Sequence, residues 1–227
     1  MKVLIFGATG MVGQGVLREC LNASDVSDVL VVGRSPTGLA NPRLRELSHQ
    51  DFLDYTAIES EMQGFDACFF CLGVSSVGMT EAEYARLTYD ITLAAATTLA
   101  RLNPAMTFVY VTGAGTDSSE RGRIMWARVK GRTENALRRL PFKAVYLFRP
   151  GIIQPLHGVR SKTGWIQTFY TLSSPVLSLS RRLFPHSVLT TERIGQAMLA
   201  VARDGAANPV LESRDIEDVV RKDSRQR

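Results

Sequence analysis

Two residues four positions apart, Trp126 and Lys130, pose the first chemical question in this sequence. They lie in the stretch W-A-R-V-K-G, whose surroundings are typical of a helix, and residues four apart share one face of a helix. An indole donates one N–H and does not titrate in water. Trp126 can therefore position or stack on a ligand, but it cannot carry a proton. The alternative is that Trp126, beside Met125 and Val129, packs at a core edge or a subunit contact.

The strongest motif is a glycine-rich turn, G-A-T-G-M-V-G, near the start of the chain. It directly follows the apolar run KVLIF and opens a predicted helix, the context in which three such glycines bind a dinucleotide. The glycines allow a tight turn, close backbone approach to a pyrophosphate and helix–strand packing, and the helix N-terminus offers free N–H groups to phosphate. The predicted cofactor residues of this turn are Gly7, Thr9, Gly10, Met11, Val12 and Gly13.

The end of the second predicted strand, V-V-G-R-S, indicates which dinucleotide is bound. In dinucleotide folds this position meets the adenosine ribose, and an acidic residue there holds the 2′-hydroxyl of NAD. Here Arg34 and Ser35 stand instead, and a guanidinium beside a hydroxyl suits a 2′-phosphate. A charge-assisted contact contributes roughly 1.5–3 kcal/mol, so NADPH is expected to be preferred over NADH by about tenfold or more. Arg43 and Arg45 are candidates to reinforce that preference, and a solvated loop arginine is the alternative for Arg34.

Strand-like and helix-like segments alternate along the chain, which implies parallel βαβ units and an α/β fold. The predicted strands cover residues 2–6, 28–32, 44–49, 66–71, 105–112 and 142–148. The predicted helices cover residues 11–22, 81–102, 121–140, 165–183 and 191–203. We therefore expect one Rossmann-type domain over residues 1–227, a doubly wound parallel sheet with a small C-terminal cap at 151–190. The last sixteen residues carry five positive and five negative charges and are predicted to fray.

Composition narrows the class of protein. The chain is 45% hydrophobic and 22% charged, as soluble globular proteins are, and it has neither a cleavage site after its first apolar run nor a stretch of 18 apolar residues. Cys20, Cys68 and Cys71, with no export signal, favour a reducing compartment, and we expect a cytoplasmic location. Cys68 and Cys71 are three apart on a predicted strand, so they point to opposite faces and no metal site is expected.

The positive charge of the chain is concentrated in one segment. The net charge is +5, and residues 121–139 hold seven Lys or Arg against one Glu. Such a segment can steer an anionic ligand, and a solvated helix face is the alternative. No aromatic-interleaved basic motif accompanies it, so nucleic acid is not an expected partner. The apolar segment 165–184 is interpreted as a lid or contact segment, with a membrane-surface role as the alternative.

The motifs GATGMVG, VVGRS, QDF, FCLGVSS and a lysine four residues after an aromatic occur in the order of the atypical short-chain dehydrogenase/reductase superfamily. The chain resembles that superfamily over about residues 1–160, and its C-L-G and V-K-G are similar to the NADPH-binding subgroup around the HIV Tat-interacting protein. The resemblance implies further cofactor residues: Asp51 and Phe52 at the adenine edge, the backbone of Cys71, Leu72 and Gly73 along the cofactor, and Pro150 and Gly151 beside the nicotinamide. The alternatives are that Asp51 caps a helix at 52–62 and that Gly73 ends a strand.

The resemblance also implies a catalytic set of Thr112, Trp126 and Lys130. Thr112 would orient the substrate, with strand filler as its alternative, and Lys130 would hold the nicotinamide ribose. Trp126 stands where the family has a tyrosine, whose phenol supplies acid–base help typically worth 10²–10⁴ in rate. The interval from Thr112 to Trp126, 14 residues, is slightly longer than usual. The candidate replacement proton donors are Tyr84, Tyr89, Asp117, His157 and Tyr170.

The leading hypothesis is an NADPH-dependent oxidoreductase that acts on a small carbonyl compound, with Trp126 as one wall of the pocket. The first alternative is a non-catalytic NADPH-binding sensor or interaction protein, which the missing tyrosine motivates. The second is an epimerase or dehydratase that uses bound nicotinamide. The expected partners are a small-molecule substrate and, because the helices at 81–102 and 121–140 pair in dimers of this superfamily, a second copy of the chain.

Overall fold

A parallel β-sheet forms the centre of the computed structural model, which describes residues 1–156 and 188–226. The main sheet has seven strands in the order β3-β2-β1-β4-β5-β6-β9, and β7 and β8 form a separate parallel pair. The strands are β1 (Lys2–Phe6), β2 (Asp28–Gly33), β3 (Leu44–Ser48), β4 (Ala67–Phe70), β5 (Thr107–Val111), β6 (Ala144–Arg149), β7 (Ile152–Gln154), β8 (Val188–Thr190) and β9 (Val210–Glu212). Each neighbouring pair in the main sheet is parallel, as predicted.

Helices cover both faces of this sheet. They are α1 (Met11–Asn22), α2 (Glu81–Ala85), α3 (Ile91–Leu102), α4 (Met125–Leu137), α5 (Thr191–Asp204) and α6 (Ser213–Gln226), with a 3-10 helix at Thr56–Met62. One core cluster joins the sheet to α1, α5 and α6, and the other joins it to α3 and the end of α4. The strand order reverses direction between β1 and β4, so the crevice at their carboxyl ends is the place where a doubly wound sheet binds its ligand.

The long helix predicted at 81–102 is present, with a local change of pitch. Thr80 caps it in a capping box with Glu83, as the sequence pattern predicts. Residues Arg86–Asp90 form a π-helical turn that joins α2 to α3. Such turns are rare and are frequent at functional sites. Here the turn faces α4, the helix that carries Trp126 and Lys130.

Two expectations at the ends of elements are wrong. The helix predicted at 121–140 begins at Met125, because residues 112–124 form a folded loop instead. The tail that was expected to fray, residues 212–227, instead forms helix α6 directly after strand β9, which pairs with β6. Ile216 and Val220, four residues apart, bury one face of α6 in the core, and the balanced charges lie on the other positions. The predicted helix at 165–183 and most of the predicted cap at 151–190 lie outside the described residues.

Candidate active site

The glycine turn joins β1 to α1 in direct contact with the backbone that follows β4. Gly7 has a φ of +78°, and a Cβ there would lie 2.8 Å from the carbonyl carbon of Cys71 and 2.8 Å from the nitrogen of Leu72. A Cβ on Gly13 would lie 2.7 Å from the carbonyl carbon of Gly7. Both positions therefore exclude any larger residue, and the turn forms a cradle of exposed backbone.

A cavity of about 160 Å³ opens beside this cradle. Its lining comes from the glycine turn, the end of β2 and the segments after β3 and β4, namely Gly7, Ala8, Thr9, Val31, Gly33, Arg34, Ser35, Phe52 and Leu72. The fold thus brings together six of the residues that the sequence predicts for the cofactor, from four separate segments. At its edge, α1 begins at Met11, and its N-cap residue Gly10 provides no side-chain cap, so the first N–H groups of the helix are available to an anion. The site fits a dinucleotide.

The side of the cavity formed by Phe52, which the resemblance assigns to adenine, packs against other aromatic rings. Phe52 is buried and contacts Phe6 edge to face at 6.5 Å and Tyr55 at 6.4 Å between ring centroids. Asp51 is exposed, and its Oδ1 accepts a hydrogen bond from Leu53 N at 2.9 Å. The alternative that Asp51 caps a helix at 52–62 is wrong, because the 3-10 helix there begins at Thr56.

Arginines near the end of β2 differ in how far they are engaged. Arg34 and Ser35 are exposed at the cavity, and among the described residues the Arg34 guanidinium has no ion-pair partner. Arg43 Nη1 instead donates to the carbonyl oxygens of Ala23 (2.7 Å) and Val26 (2.6 Å). Arg43 is therefore not available to reinforce a phosphate contact. Arg45 is not available either, because it is paired with two carboxylates.

The pairing of Arg45 is a double one on the edge strand β3. Its guanidinium lies 3.0 Å from Asp28 Oδ2 and 3.3 Å from Glu61 Oε2. The hydrogen bonds to Asp28 raise the pKa of Arg45 above its usual value. Two carboxylates already neutralise this arginine, so it offers little attraction to a phosphate.

Lys130 projects from α4 toward the carboxyl end of β5. Its Nζ donates to Thr112 O at 3.1 Å and lies 5.9 Å from the centroid of the Tyr110 ring. Burial lowers the pKa of Lys130 to about 8, and the charge of Glu134, one turn along α4, opposes that shift. An ammonium has three donors. With one donor committed to Thr112, two remain for a ligand at the end of β5.

Thr112 is used mainly as a structural link between β5 and β6. Its N–H donates to Phe148 O at 2.7 Å, and its hydroxyl donates to the same oxygen at 3.1 Å. The side chain is 9% exposed. The hydroxyl that the resemblance assigns to the substrate therefore donates its proton to the backbone in this structure.

Trp126 lies in the first turn of α4, half-buried against the loop 112–124. A Cβ on Gly115 would lie 3.6 Å from Cη2 of the indole, so the ring edge covers this loop just after β5. The following turn of α4 presses still more tightly, since a Cβ on Gly131 would lie 2.5 Å from the carbonyl carbon of Asp117. Trp126 and Lys130 thus both lie near the carboxyl end of β5.

The described candidates for a replacement proton donor are engaged elsewhere. Tyr84 is buried in the core, and burial raises the pKa of its phenol. Tyr89 stacks on Arg132, with the guanidinium carbon 4.1 Å from the ring centroid. Hydrogen bonds from Ser119 and Gly122 lower the pKa of Asp117 and hold it as a carboxylate. His157 and Tyr170 lie outside the described residues.

A buried ion pair that the sequence analysis missed supports the Lys130 side of the site. Glu134 is 1% exposed and pairs with Arg149, whose Nε lies 3.0 Å from Glu134 Oε1. The same guanidinium reaches Ser118 Oγ at 2.5 Å and Glu212 Oε1 at 3.5 Å. One arginine at the end of β6 thus connects α4, the loop 112–124 and β9. The spacing of Lys130 and Glu134, four residues on one helix, is the sequence signal that could have revealed Glu134.

The two residues predicted beside the nicotinamide close the end of β6. Pro150 O accepts a hydrogen bond from Ala114 N at 2.9 Å, and Gly151 N donates to Ser213 Oγ at 2.9 Å. The first hydrogen bond fixes this segment against the loop after β5, and the second fixes it against the start of α6. Pro150 and Gly151 therefore lie on the same edge of the sheet as Lys130 and Gly73.

The described residues contain no cluster that could bind a metal, and all three cysteines are free thiols. Burial raises the pKa of Cys71 to about 12, so this thiol stays protonated at neutral pH. Within the same part of the chain, no helix is both long enough and apolar enough to cross a bilayer.

Proteins of mammals and yeasts are similar in sequence to this chain. The rat protein HTATIP2 is 27% identical over 155 residues, which make up 67% of this chain and 62% of that protein. The mitochondrial protein FMP52-2 of the yeast Scheffersomyces stipitis is 27% identical over 92% of this chain and 89% of its own length. The alignment thus covers less than two thirds of the rat protein but most of the yeast one.

Solved structures share the fold at low sequence identity. A short-chain dehydrogenase/reductase from Burkholderia thailandensis matches 95% of this chain and 92% of its own, with a TM-score of 0.67 and 14% identity. WbmF of Bordetella bronchiseptica, solved with NAD⁺ and UDP, matches 97% and 75% with a TM-score of 0.63 and 16% identity. Residues 7–146, more than half of the chain, match the family model described as NAD(P)H-binding. The chain therefore belongs to the NAD(P)H-binding family of Rossmann-fold proteins that includes the atypical short-chain dehydrogenase/reductases.

Proposed function

We propose that this protein is an NADPH-dependent oxidoreductase that acts on a small carbonyl compound, with a tryptophan in place of the usual tyrosine. The single observation that carries the proposal is the alignment of two half-sites along one edge of the sheet. The cavity at Arg34 and Ser35 receives the adenosine end, and Lys130 with Trp126 stands at the end of β5. Members of the same family bind the cofactor in this crevice.

Preference for NADPH follows from the charge at the end of β2. Arg34 is exposed at the cavity, and no described acidic side chain pairs with it. An arginine there accommodates a 2′-phosphate, whereas NAD-binding sites carry an acidic residue. The glycine cradle at Gly7 and Gly13 and the uncapped start of α1 would hold the pyrophosphate.

The chain's own groups divide the remaining work. Nicotinamide, when bound, supplies the hydride. Lys130 has two donors left to hold ribose hydroxyls, and its positive charge favours a developing alkoxide nearby. Trp126 forms a wall over the loop 112–124, where it excludes water and orients the substrate. The proton that the alkoxide oxygen takes up comes from Lys130 or from bulk water rather than from a phenol.

The test is a screen of small aldehydes and ketones for NADPH consumption, with Trp126→Tyr and Trp126→Phe beside the unchanged chain. We expect turnover by the unchanged chain and a loss of roughly tenfold in both variants, because the wall is reshaped while Lys130 remains. If the unchanged chain binds NADPH but turns over no carbonyl, and Trp126→Tyr creates activity, the protein is not a working reductase of this class.

A second candidate, a non-catalytic NADPH sensor, is favoured by the state of Thr112. Its hydroxyl donates to Phe148 O and is therefore not free to contact a substrate. The phenol of the family's tyrosine would be missing as well, because Trp126 stands at that position in this proposal. In this case nucleotide binding would change the affinity for a protein partner without turnover. Equilibrium binding of NADPH with no consumption across the same screen would select this function.

Two further properties accompany the proposal. We propose a homodimer, because Leu87 and Ile124 are 39% and 58% exposed beside the facing helices α2 and α4. Light scattering on a sizing column measures the mass directly, and a monomer at all concentrations would exclude the homodimer.

We also propose a cytoplasmic location, to be measured by cell fractionation, although the yeast relative is named mitochondrial.

A further inference from the structure

A second and larger cavity adjoins the proposed adenosine cavity. Its volume is about 590 Å³, and it lies between the outer face of α1 and the loop that follows β2. The two cavities share Ala8 and Thr9, and their walls continue from Arg34 and Ser35 in one to Pro36 and Thr37 in the other. A group that leaves the first cavity beside Ser35 therefore enters the second.

Arg18 is the charged residue among those described as lining this second cavity. It is exposed on α1, and in the described part of the chain its guanidinium has no ion-pair or hydrogen-bond partner. Side chains on a helix lean toward its N-terminus, so a long arginine at this position reaches back over Gln14 toward the glycine turn. Gln14 itself donates to Thr9 O at 3.0 Å and so marks the path to the shared wall.

Other charged residues near the second cavity already have partners. Arg43 is bound to backbone oxygens of the α1 end, and Arg45 is paired with Asp28 and Glu61. The nearby acidic residue is Glu46, whose Oε1 accepts a hydrogen bond from Thr37 N at 2.7 Å and so orders the loop after β2. Because its negative charge repels an anion bound beside this loop, one arginine alone would bind a phosphate there only weakly.

We propose that Arg18 is the second cation of the 2′-phosphate site, binding from α1 the phosphate that Arg34 binds from the end of β2. The inference rests on the proposed NADPH preference and adds to it a residue that the strand-end position does not reveal. Arg34 lines one of the two cavities and Arg18 lines the other, and both cavities include Thr9. A phosphate between them is contacted from two directions, which selects for a dianion over a hydroxyl.

The experiment compares adenosine 2′,5′-bisphosphate with adenosine 5′-monophosphate, which differ only in the 2′-phosphate, by calorimetry on the full chain. Arg18→Gln is expected to weaken the bisphosphate about tenfold, as the loss of one charge-assisted contact does, and to change the monophosphate less than about twofold. Arg34→Gln should show the same pattern. The loss should shrink at high salt, because partly exposed charges are screened.

Arg139→Gln is the matched control, since Arg139 is also exposed but lies just beyond α4 and before β6, which is separated from β2 by three strands of the sheet. Equal affinities of Arg18→Gln and the unchanged chain for the bisphosphate, with Arg34→Gln impaired, would overturn the role of Arg18 alone. If the unchanged chain does not distinguish the two nucleotides, the proposed NADPH preference fails as well. Circular dichroism shows that each variant is folded.

Discussion

The two halves of the candidate site are built in different ways. The cofactor half uses backbone that short-range sequence sets: Gly7 and Gly13 are forced by contacts within the turn and with the segment after β4. The proposed catalytic half uses side chains of α4, β6 and β9 together with the backbone at the end of β5, and these are linked through Lys130, Glu134 and Arg149. The first half leaves little freedom to substitute, whereas the second depends on side chains, among which we propose that Trp126 stands in place of a tyrosine.

This difference explains how one half can diverge without the other. A backbone cradle fails if a Cβ is added, so its residues are constrained by sterics whatever the chemistry. A proton donor is constrained only by the reaction it serves, and Trp126 packs on Gly115 without disturbing Lys130. Substitutions in the two halves should therefore have separable effects on binding, folding and turnover.

The largest effect is expected from Gly13→Ala, which attacks the cofactor half. The new Cβ would lie 2.7 Å from the carbonyl carbon of Gly7 and 2.8 Å from Ala8 Cα, and backbone atoms cannot move aside cheaply. We expect a loss of about 3 kcal/mol in the free energy of unfolding and of roughly a hundredfold in NADPH affinity. Urea unfolding and calorimetry measure the two quantities.

Gly73→Ala is the matched substitution, because a Cβ there meets no atom within 4 Å and Gly73 is exposed. Its unfolding free energy should stay within about 0.5 kcal/mol of the unchanged chain. Equal stabilities of the Gly13 and Gly73 variants would show that the turn is not the rigid cradle described above. The contrast between the halves would then lose its basis.

Glu134→Gln comes next and attacks the catalytic half. It leaves Arg149, whose side chain is 12% exposed, without its buried carboxylate, and breaking a buried pair costs about 3 kcal/mol or slightly more. It also removes the charge that supports the ammonium of Lys130, so the pKa of Lys130 should fall further. Unfolding curves give the first effect, and the pH dependence of lysine-specific acylation gives the second.

Glu212→Gln separates burial from charge, because Glu212 also pairs with Arg149 but is 49% exposed. An exposed pair contributes at most about 1 kcal/mol, so this variant should be much closer to the unchanged chain. A loss as large as that of Glu134→Gln would mean that the network acts as a whole and that burial is not what sets the cost.

The sequence was sufficient for whatever depends on local pattern. The glycine spacing, the alternation of strands and helices and the Thr80 capping box predicted the Rossmann fold and the start of the long helix correctly. The prediction that the tail frays was wrong because it rested on the high and balanced charge of this segment. The burial of Ile216 and Val220 depends on a surface that only the assembled sheet supplies. A balanced charge count says nothing about which face of a helix is buried.

The catalytic half could be predicted only one residue at a time. Lys130 was predicted from its motif, but the hydrogen bond of the Thr112 hydroxyl to Phe148 joins residues 36 apart in sequence, and no motif predicts it. Arg43 and Arg45 were considered for the phosphate because they lie near Arg34 in sequence, yet their partners come from α1, β2 and the 3-10 helix. Such commitments are set by tertiary packing, and sequence spacing does not encode them.

Apart from the matched control variants, the smallest expected effect, and one of opposite sign, belongs to Lys130→Met. Burial that lowers the pKa of Lys130 from 10.5 to about 8 costs the folded state up to roughly 3 kcal/mol at neutral pH. The hydrogen bond to Thr112 O and partial solvation return part of this, so the variant should be more stable at pH 7 by about 1–2 kcal/mol. Its affinity for NADPH should fall, as expected where a functional group is kept at the expense of stability.

The pH dependence of that gain decides its origin. Below pH 8 the lysine is protonated in both states and the penalty is complete. Between pH 8 and 10.5 the unfolded chain binds more protons, so the unchanged chain gains stability with pH and the advantage of Lys130→Met shrinks. Lys143→Met, at an exposed position, should show no such window. An advantage that persists at pH 10.5 would assign the gain to methionine packing, whereas a loss at every pH would make Lys130 a structural member of the Glu134 network.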